Sequence, residues 1–162
     1  MANRDIPSGF TQIQSKNPSC EPFVSTRVVG GSAAVYKGAL VDVQTDGTVD
    51  RTANTTITTA ITDGTKALAL NGGAVGESIQ VILDLTSITA EIQCAANGIT
   101  SDVRGQLYDV IVAADNSTTE QSGIELEDVT GVPGAVVRVT DMVDRADNDV
   151  TLANNKVRVE FV

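Results

Sequence analysis

The residues able to do chemistry are few, and the absent one matters most. The 162-residue chain contains no histidine, so Ser-His-Asp and Cys-His nucleophile systems, His-ligated zinc and imidazole general bases are all closed to it. Acid-base work would fall to the 21 carboxylates. A glycosidase pair normally sits beside aromatic platforms that hold the sugar, yet after residue 26 the only aromatics are Tyr36, Tyr108 and Phe161. The run Asn71-Gly72-Gly73-Ala74-Val75-Gly76-Glu77-Ser78 has the glycines of a phosphate loop without its lysine, and a wide turn between strands accounts for it. Asp144-Arg145-Ala146-Asp147-Asn148-Asp149 crowds carboxylates as a calcium loop would. It lacks the glycine and terminal glutamate of an EF-hand and carries a counter-ion in Arg145, so it reads as a solvated turn. Asp46-Gly47-Thr48 and Asp63-Gly64-Thr65 hold the letters of an aspartic-protease motif in the wrong order and also read as turns. Cys94 has no neighbouring cation in sequence to stabilise a thiolate, which predicts a buried structural thiol. The expectation is no catalytic residue, no cofactor, no metal site and no enzyme.

The elements that would position any site read as strands. Ser78 to Leu85 sets Ile79, Val81 and Leu83 against Gln80, Ile82 and Asp84, and Lys156 to Val162 sets Val157, Val159 and Phe161 against Arg158, Glu160 and Val162. Asp46-Gly47 between Val43 and Val49 predicts a hairpin with a tight primed turn. Further strands are expected within 34–43, 52–62, 66–70, 88–94, 107–114 and 135–142, with a polar loop of weak helical character over 118–128. No amphipathic helix of three turns is evident. Short strands with turn signals every 8 to 12 residues predict an all-β fold, a compact β-barrel or β-sandwich of about eight to ten strands.

Composition narrows the function classes. Hydrophobic residues make up 41% of the chain but aromatics only 3%, so a core of Val, Ile, Leu and Ala is expected, large enough to need no disulfide or metal. A net charge of −10 with no basic cluster argues against binding nucleic acid or an anionic membrane. No apolar run reaches transmembrane length and no signal-peptide pattern opens the chain, which predicts synthesis in a cytoplasm and free thiols at Cys20 and Cys94.

Residues 1–26 stand apart from residues 27–162, the expected single β-rich domain. They hold Pro7, Pro18 and Pro22 with Phe10 and Phe23, and their charges cancel (Arg4 and Lys16 against Asp5 and Glu21). This composition predicts an extended N-terminal arm that docks on a neighbour at low entropic cost.

Several ordered stretches resemble the head decoration, or cement, proteins of tailed bacteriophages. They are the opening Met1 to Phe10 with its Pro7-Ser8-Gly9-Phe10; Tyr36-Lys37-Gly38-Ala39-Leu40-Val41 followed by Asp46-Gly47-Thr48-Val49; Gly105 to Val112; Ser122 to Leu126; Val137 to Asn148; and the closing alternating strand. The resemblance implies a β-rich structural virion protein. It implies a trimer on the outer capsid surface that bridges subunits of the major capsid protein. On that reading Ile6, Pro7, Phe10, Ile13 and Phe23 are the expected capsid or inter-subunit contacts, the alternative for Phe23 being that it packs beneath its own body. A competing class is a particle-surface receptor- or carbohydrate-binding module, which would need an exposed aromatic cluster.

Overall fold

The computed structural model describes residues 7–61, 63–95, 99, 103–127 and 136–162. Over them run thirteen strands, β1 (Thr11–Ser15), β2 (Val24–Val28), β3 (Leu40–Val43), β4 (Val49–Arg51), β5 (Thr55–Ile57), β6 (Lys66–Ala69), β7 (Ser78–Ile82), β8 (Ile88–Gln93), β9 (Leu107–Tyr108), β10 (Val110–Val112), β11 (Ile124–Leu126), β12 (Val137–Met142) and β13 (Lys156–Phe161). The one helical element described is the 3-10 turn Leu85–Ser87. The fold is all-β, in three antiparallel sheets of order β1-β8-β13-β12-β9, β2-β7-β6-β3-β4 and β11-β10-β5. No helix among the described residues is long and apolar enough to cross a membrane.

Side-chain alternation explains the clearest strands. Along β13, Val157, Val159 and Phe161 are buried while Lys156, Arg158 and Glu160 are half-exposed, the pattern of a strand with one face on the core. Strand β8 lies between β1 and β13 and is covered on both faces. Ile88, Ala90 and Ile92 enter the core, while Glu91 and Gln93 are buried on the other side. One apolar cluster draws on all three sheets, chiefly Val, Ile, Leu and Ala, with Phe10, Tyr108 and Phe161 inside it.

Several expectations change. Among the described residues the sheets form no closed barrel, and thirteen strands exceed the eight to ten expected. The strand expected over 107–114 breaks at Asp109. Tyr108 pairs with Val137 in one sheet while Val110 pairs with Leu126 and Ile57 in another. The β3–β4 hairpin forms with Val43 opposite Val49, but Gln44 N–H donates to Thr48 O at 2.9 Å and Gly47 is its one residue with positive φ, at 85°. That is a three-residue loop with glycine in the left-handed position rather than a two-residue primed turn. Within the loop expected over 118–128 lies β11.

The largest correction concerns the N-terminal segment. Its described part does not reach away from the body. Strand β1 pairs with β8, β2 pairs with β7, and the boundary drawn between residues 26 and 27 falls inside β2. Phe10 N–H donates to Gly38 O at 3.0 Å, a close crossing that needs Gly9 and Gly38 at φ of +66° and +80°. A Cβ on Gly38 would come within 2.6 Å of Phe10 O, so only glycine fits.

Candidate interaction surface

The five residues expected as contacts are dispersed by the fold. Ile6 lies outside the described residues. Pro7 is half-buried. Phe10 is fully buried, its ring 5.0 Å from that of Phe161 at an interplanar angle of 46°, so it is a core residue and not a docking anchor. Ile13 is partly buried against the core. Phe23 alone projects, 72% exposed, which removes the alternative that it packs beneath its own body.

Phe23 has apolar company that the sequence reading missed. Val24 and Val28 on β2 are 39% and 41% exposed, and Val75 is 50% exposed in the turn whose Gly76 and Glu77 are hydrogen-bonded to Val29. With Leu107 these are the exposed large hydrophobics among the described residues, so four of five lie on or beside one edge strand, Phe23 and Val24 at its start and Val28 and Val75 at its end. The signal was present in Val24-Ser25-Thr26-Arg27-Val28, where alternation places both valines on one face.

The loop that precedes β2 is held by local bonds. Lys16 N–H donates to Ser87 O at 2.8 Å, and Asn17 Oδ1 accepts from Ser19 N–H at 3.0 Å. An open depression beside it is lined by Gln14, Ser15, Asn17, Pro18, Cys20, Glu21 and Pro22. Both cysteines are free, Cys20 exposed in this loop and Cys94 buried.

The motifs singled out for chemistry resolve into turns. In the glycine-rich run, Gly73 N–H donates to Val35 O, Gly76 N–H to Val29 O and Glu77 N–H to Ala74 O, and Ala74 N–H donates to the Glu77 carboxylate at 2.8 Å. A phosphate cradle needs those donors free. Asp46 and Asp63 each accept from a threonine two residues on, through both its N–H and its hydroxyl. Asp84 and Asp149 repeat the device with Thr86 and Thr151. Hydrogen bonds from Thr48 backbone and hydroxyl, and from the Thr65 and Thr151 hydroxyls and backbones, hold the Asp46, Asp63 and Asp149 carboxyls below the usual range.

The turn at 144–149 is tied to the sheet by ion pairs. Arg145 donates to Glu91 at 2.9 Å and to Asp147 at 2.7 Å, and Arg158 reaches Glu91 at 3.3 Å. Glu91 is 3% exposed, and two guanidinium groups offset the cost of burying its charge. Among the described residues no group of three His, Cys, Asp or Glu side chains is placed to hold a metal ion. Asp109 differs: it is 1% exposed, neither carboxylate oxygen has a hydrogen-bond partner, and burial pushes its carboxyl above the usual range. Of the aromatics, Phe10, Tyr108 and Phe161 are buried and Tyr36 is half-buried, leaving Phe23 exposed alone. No protein-family model, curated protein or solved structure matches the chain.

Proposed function

We propose that this protein is a non-enzymatic structural component of a bacteriophage particle, decorating the outer capsid surface and bridging subunits of the major capsid protein. The sequence resemblance suggests the class. The observation that carries the reading is that Phe23, Val24, Val28 and Val75, four of the five exposed large hydrophobics among the described residues, lie along the β2 edge, because apolar side chains left exposed along one edge mark an interaction surface. The grip differs from the one expected from sequence. With residues 7–26 folded onto the body, the protein holds its partners through a surface and not by a reaching arm.

A carbohydrate-binding module gains no observation of its own, since a sugar platform needs adjacent exposed aromatics and Phe23 stands alone. The test is co-sedimentation of the purified protein with capsids of the encoding phage from which it has been stripped. Wild type is expected to pellet with capsids and Phe23→Asp to pellet less. Wild type remaining wholly in the supernatant would end the capsid reading.

A further inference from the structure

The glycine-rich turn between β6 and β7 is no phosphate cradle, but it opens on two residues placed to react with each other. Asn71 and Gly72 are both exposed. Leu70 N–H donates to Gln80 O at 2.8 Å, and a regular antiparallel ladder would return a bond from Gln80 N–H to Leu70 O. Here Gln80 N–H donates instead to Asn71 Oδ1, at 2.7 Å. Asn71 Nδ2 lies 3.4 Å from Gly72 O, which sets the side-chain amide alongside the following residue. Gly72 N–H has no acceptor among the described residues.

That arrangement supplies the parts of an intramolecular acyl transfer. The free Gly72 nitrogen is the nucleophile, Asn71 Cγ the electrophile, and the oxygen that gains charge on attack is Oδ1, already held by the Gln80 N–H. Glycine brings no side chain to obstruct the approach. The fold requires it at this position for another reason: a Cβ on Gly72 would lie 3.0 Å from Val35 O and 3.5 Å from Tyr36 Cα, while Gly73 and Val35 exchange two hydrogen bonds of 2.9 Å. Asn71 completes a ladder and Gly72 makes room for a neighbouring chain, so the reactive pair follows from two structural needs. Other asparagines are held out of the reaction. Asn17 precedes Pro18, which has no N–H. Asn116 Oδ1 is turned forward to accept from Thr118 and Thr119 N–H at 3.0 and 3.1 Å. Asn148 and Asn155 are buried, and each donates through Nδ2 to two carbonyls.

We propose that Asn71 is a site of self-modification in the folded protein, deamidated through a cyclic imide formed with Gly72. Hydroxide takes the Gly72 N–H proton, the Gly72 N–Cγ bond forms, and the Cγ–Nδ2 bond breaks as Nδ2 takes a proton from water and leaves as ammonia. Water then opens the imide at one of its two carbonyls. Addition at Cγ restores the normal main chain and leaves an aspartate, whereas addition at the main-chain carbonyl leaves an isoaspartate with a backbone one atom longer. Two features direct the opening to aspartate. The Gln80 N–H polarises the Cγ carbonyl, and the paired bonds between Gly73 and Val35 resist the longer backbone. The product keeps an acceptor for Gln80 N–H and adds one negative charge to the net −10.

The inference is independent of the capsid reading, and failure to bind capsids leaves it untouched. The test ages the full chain at mildly alkaline pH, folded and in concentrated urea, and maps both samples by peptide mass. Edman sequencing, which stops at an isoaspartate, gives the product ratio. The folded protein is expected to show the mass gain of an amide-to-acid exchange in the peptide carrying Asn71, with Asn116, Asn148 and Asn155 unchanged over the same period. The ratio of aspartate to isoaspartate is expected to be about twofold or more higher in the folded sample than in urea, the least that one hydrogen bond to one of two competing carbonyls is worth. On anion exchange the aspartate form of the aged protein is expected to elute with the Asn71→Asp variant, which itself shows no such mass gain at that position. An Asn71 left intact in the folded protein overturns the inference. Conversion with the same product ratio in both samples overturns it too, because the reaction would then belong to opened molecules.

Discussion

Replacing Phe10 and Phe23 separately with alanine separates a core residue from a surface one, although both lie in the stretch whose composition suggests an arm. Phe10 is fully buried and its ring meets that of Phe161 at 5.0 Å. Truncating a buried phenylalanine costs about 3–5 kcal/mol in lost burial and residual cavity, with about 0.5–1.5 kcal/mol of it from the ring pair. For 162 residues, an unfolding entropy of about 2.1 cal/mol/K per residue converts that into a fall in Tm of about 9–15 °C. Phe23 is 72% exposed, so its truncation is expected to change stability by less than about 0.5 kcal/mol and Tm by less than about 2 °C. The assay is thermal unfolding followed by circular dichroism at fixed pH, at protein concentrations low enough that self-association does not add to stability. A Phe10→Ala protein melting within about 2 °C of wild type would refute the placement of this segment in the core. Equal, large shifts for both variants would refute the division between them.

Two further predictions concern single side chains. Asp109 has its carboxyl pushed up by burial, so at pH values below the unfolded-state pKa of about 3.9 it is neutral in both states and costs little. As pH rises from there through the higher folded-state value, ionisation favours the unfolded chain and stability is lost. Asp109→Asn is therefore expected to be more stable relative to wild type at pH 7 than at pH 4, measured by urea unfolding at both values. A variant whose difference from wild type is the same at both pH values would count against it. Gly38 and Gly76 have similar φ, +80° and +86°, but a Cβ at Gly38 strikes Phe10 O and Ser8 O whereas Gly76 has open space. Gly76→Ala is expected to cost about 1–2 kcal/mol for the left-handed backbone alone, and Gly38→Ala clearly more. Equal losses in chemical denaturation would show that the crossing of Gly9 and Gly38 is looser than described.

Strands whose partners lie close in sequence were legible. The β3–β4 hairpin is announced by Asp46-Gly47, and β7 and β13 by alternation, because turn chemistry and side-chain period are local properties. What failed was non-local. Thr11-Gln12-Ile13-Gln14-Ser15 alternates half-buried and exposed positions, but with one strongly apolar residue it gives no visible period, and its partner β8 lies more than seventy residues away. Phe10 and Phe23 are the same residue type, both near proline, and only the position of Phe161 tells them apart. The break at Asp109 was hidden for a related reason. Two strands of one apolar run join different sheets, and nothing in Leu107-Tyr108-Asp109-Val110-Ile111-Val112 marks where pairing partners change. The interface is half visible in the sequence, because Phe23 stands out as an aromatic while Val24 and Val28 fall on either side of the compositional break at residue 26.

The order of pairing also constrains the nascent chain. Strand β1 docks on β8 and β8 on β13, and Phe10 rests on Phe161, so the apolar side chains of this segment leave the ribosome well before the residues that cover them. Sheet β2-β7-β6-β3-β4 can assemble from residues 24–82 alone, whereas the sheet containing β1 is completed from both ends of the described chain. Because long-range strand pairing is slow, the uncovered β1 segment and the bare β2 edge coexist during that interval, and this is when the protein is most exposed to wrong partners.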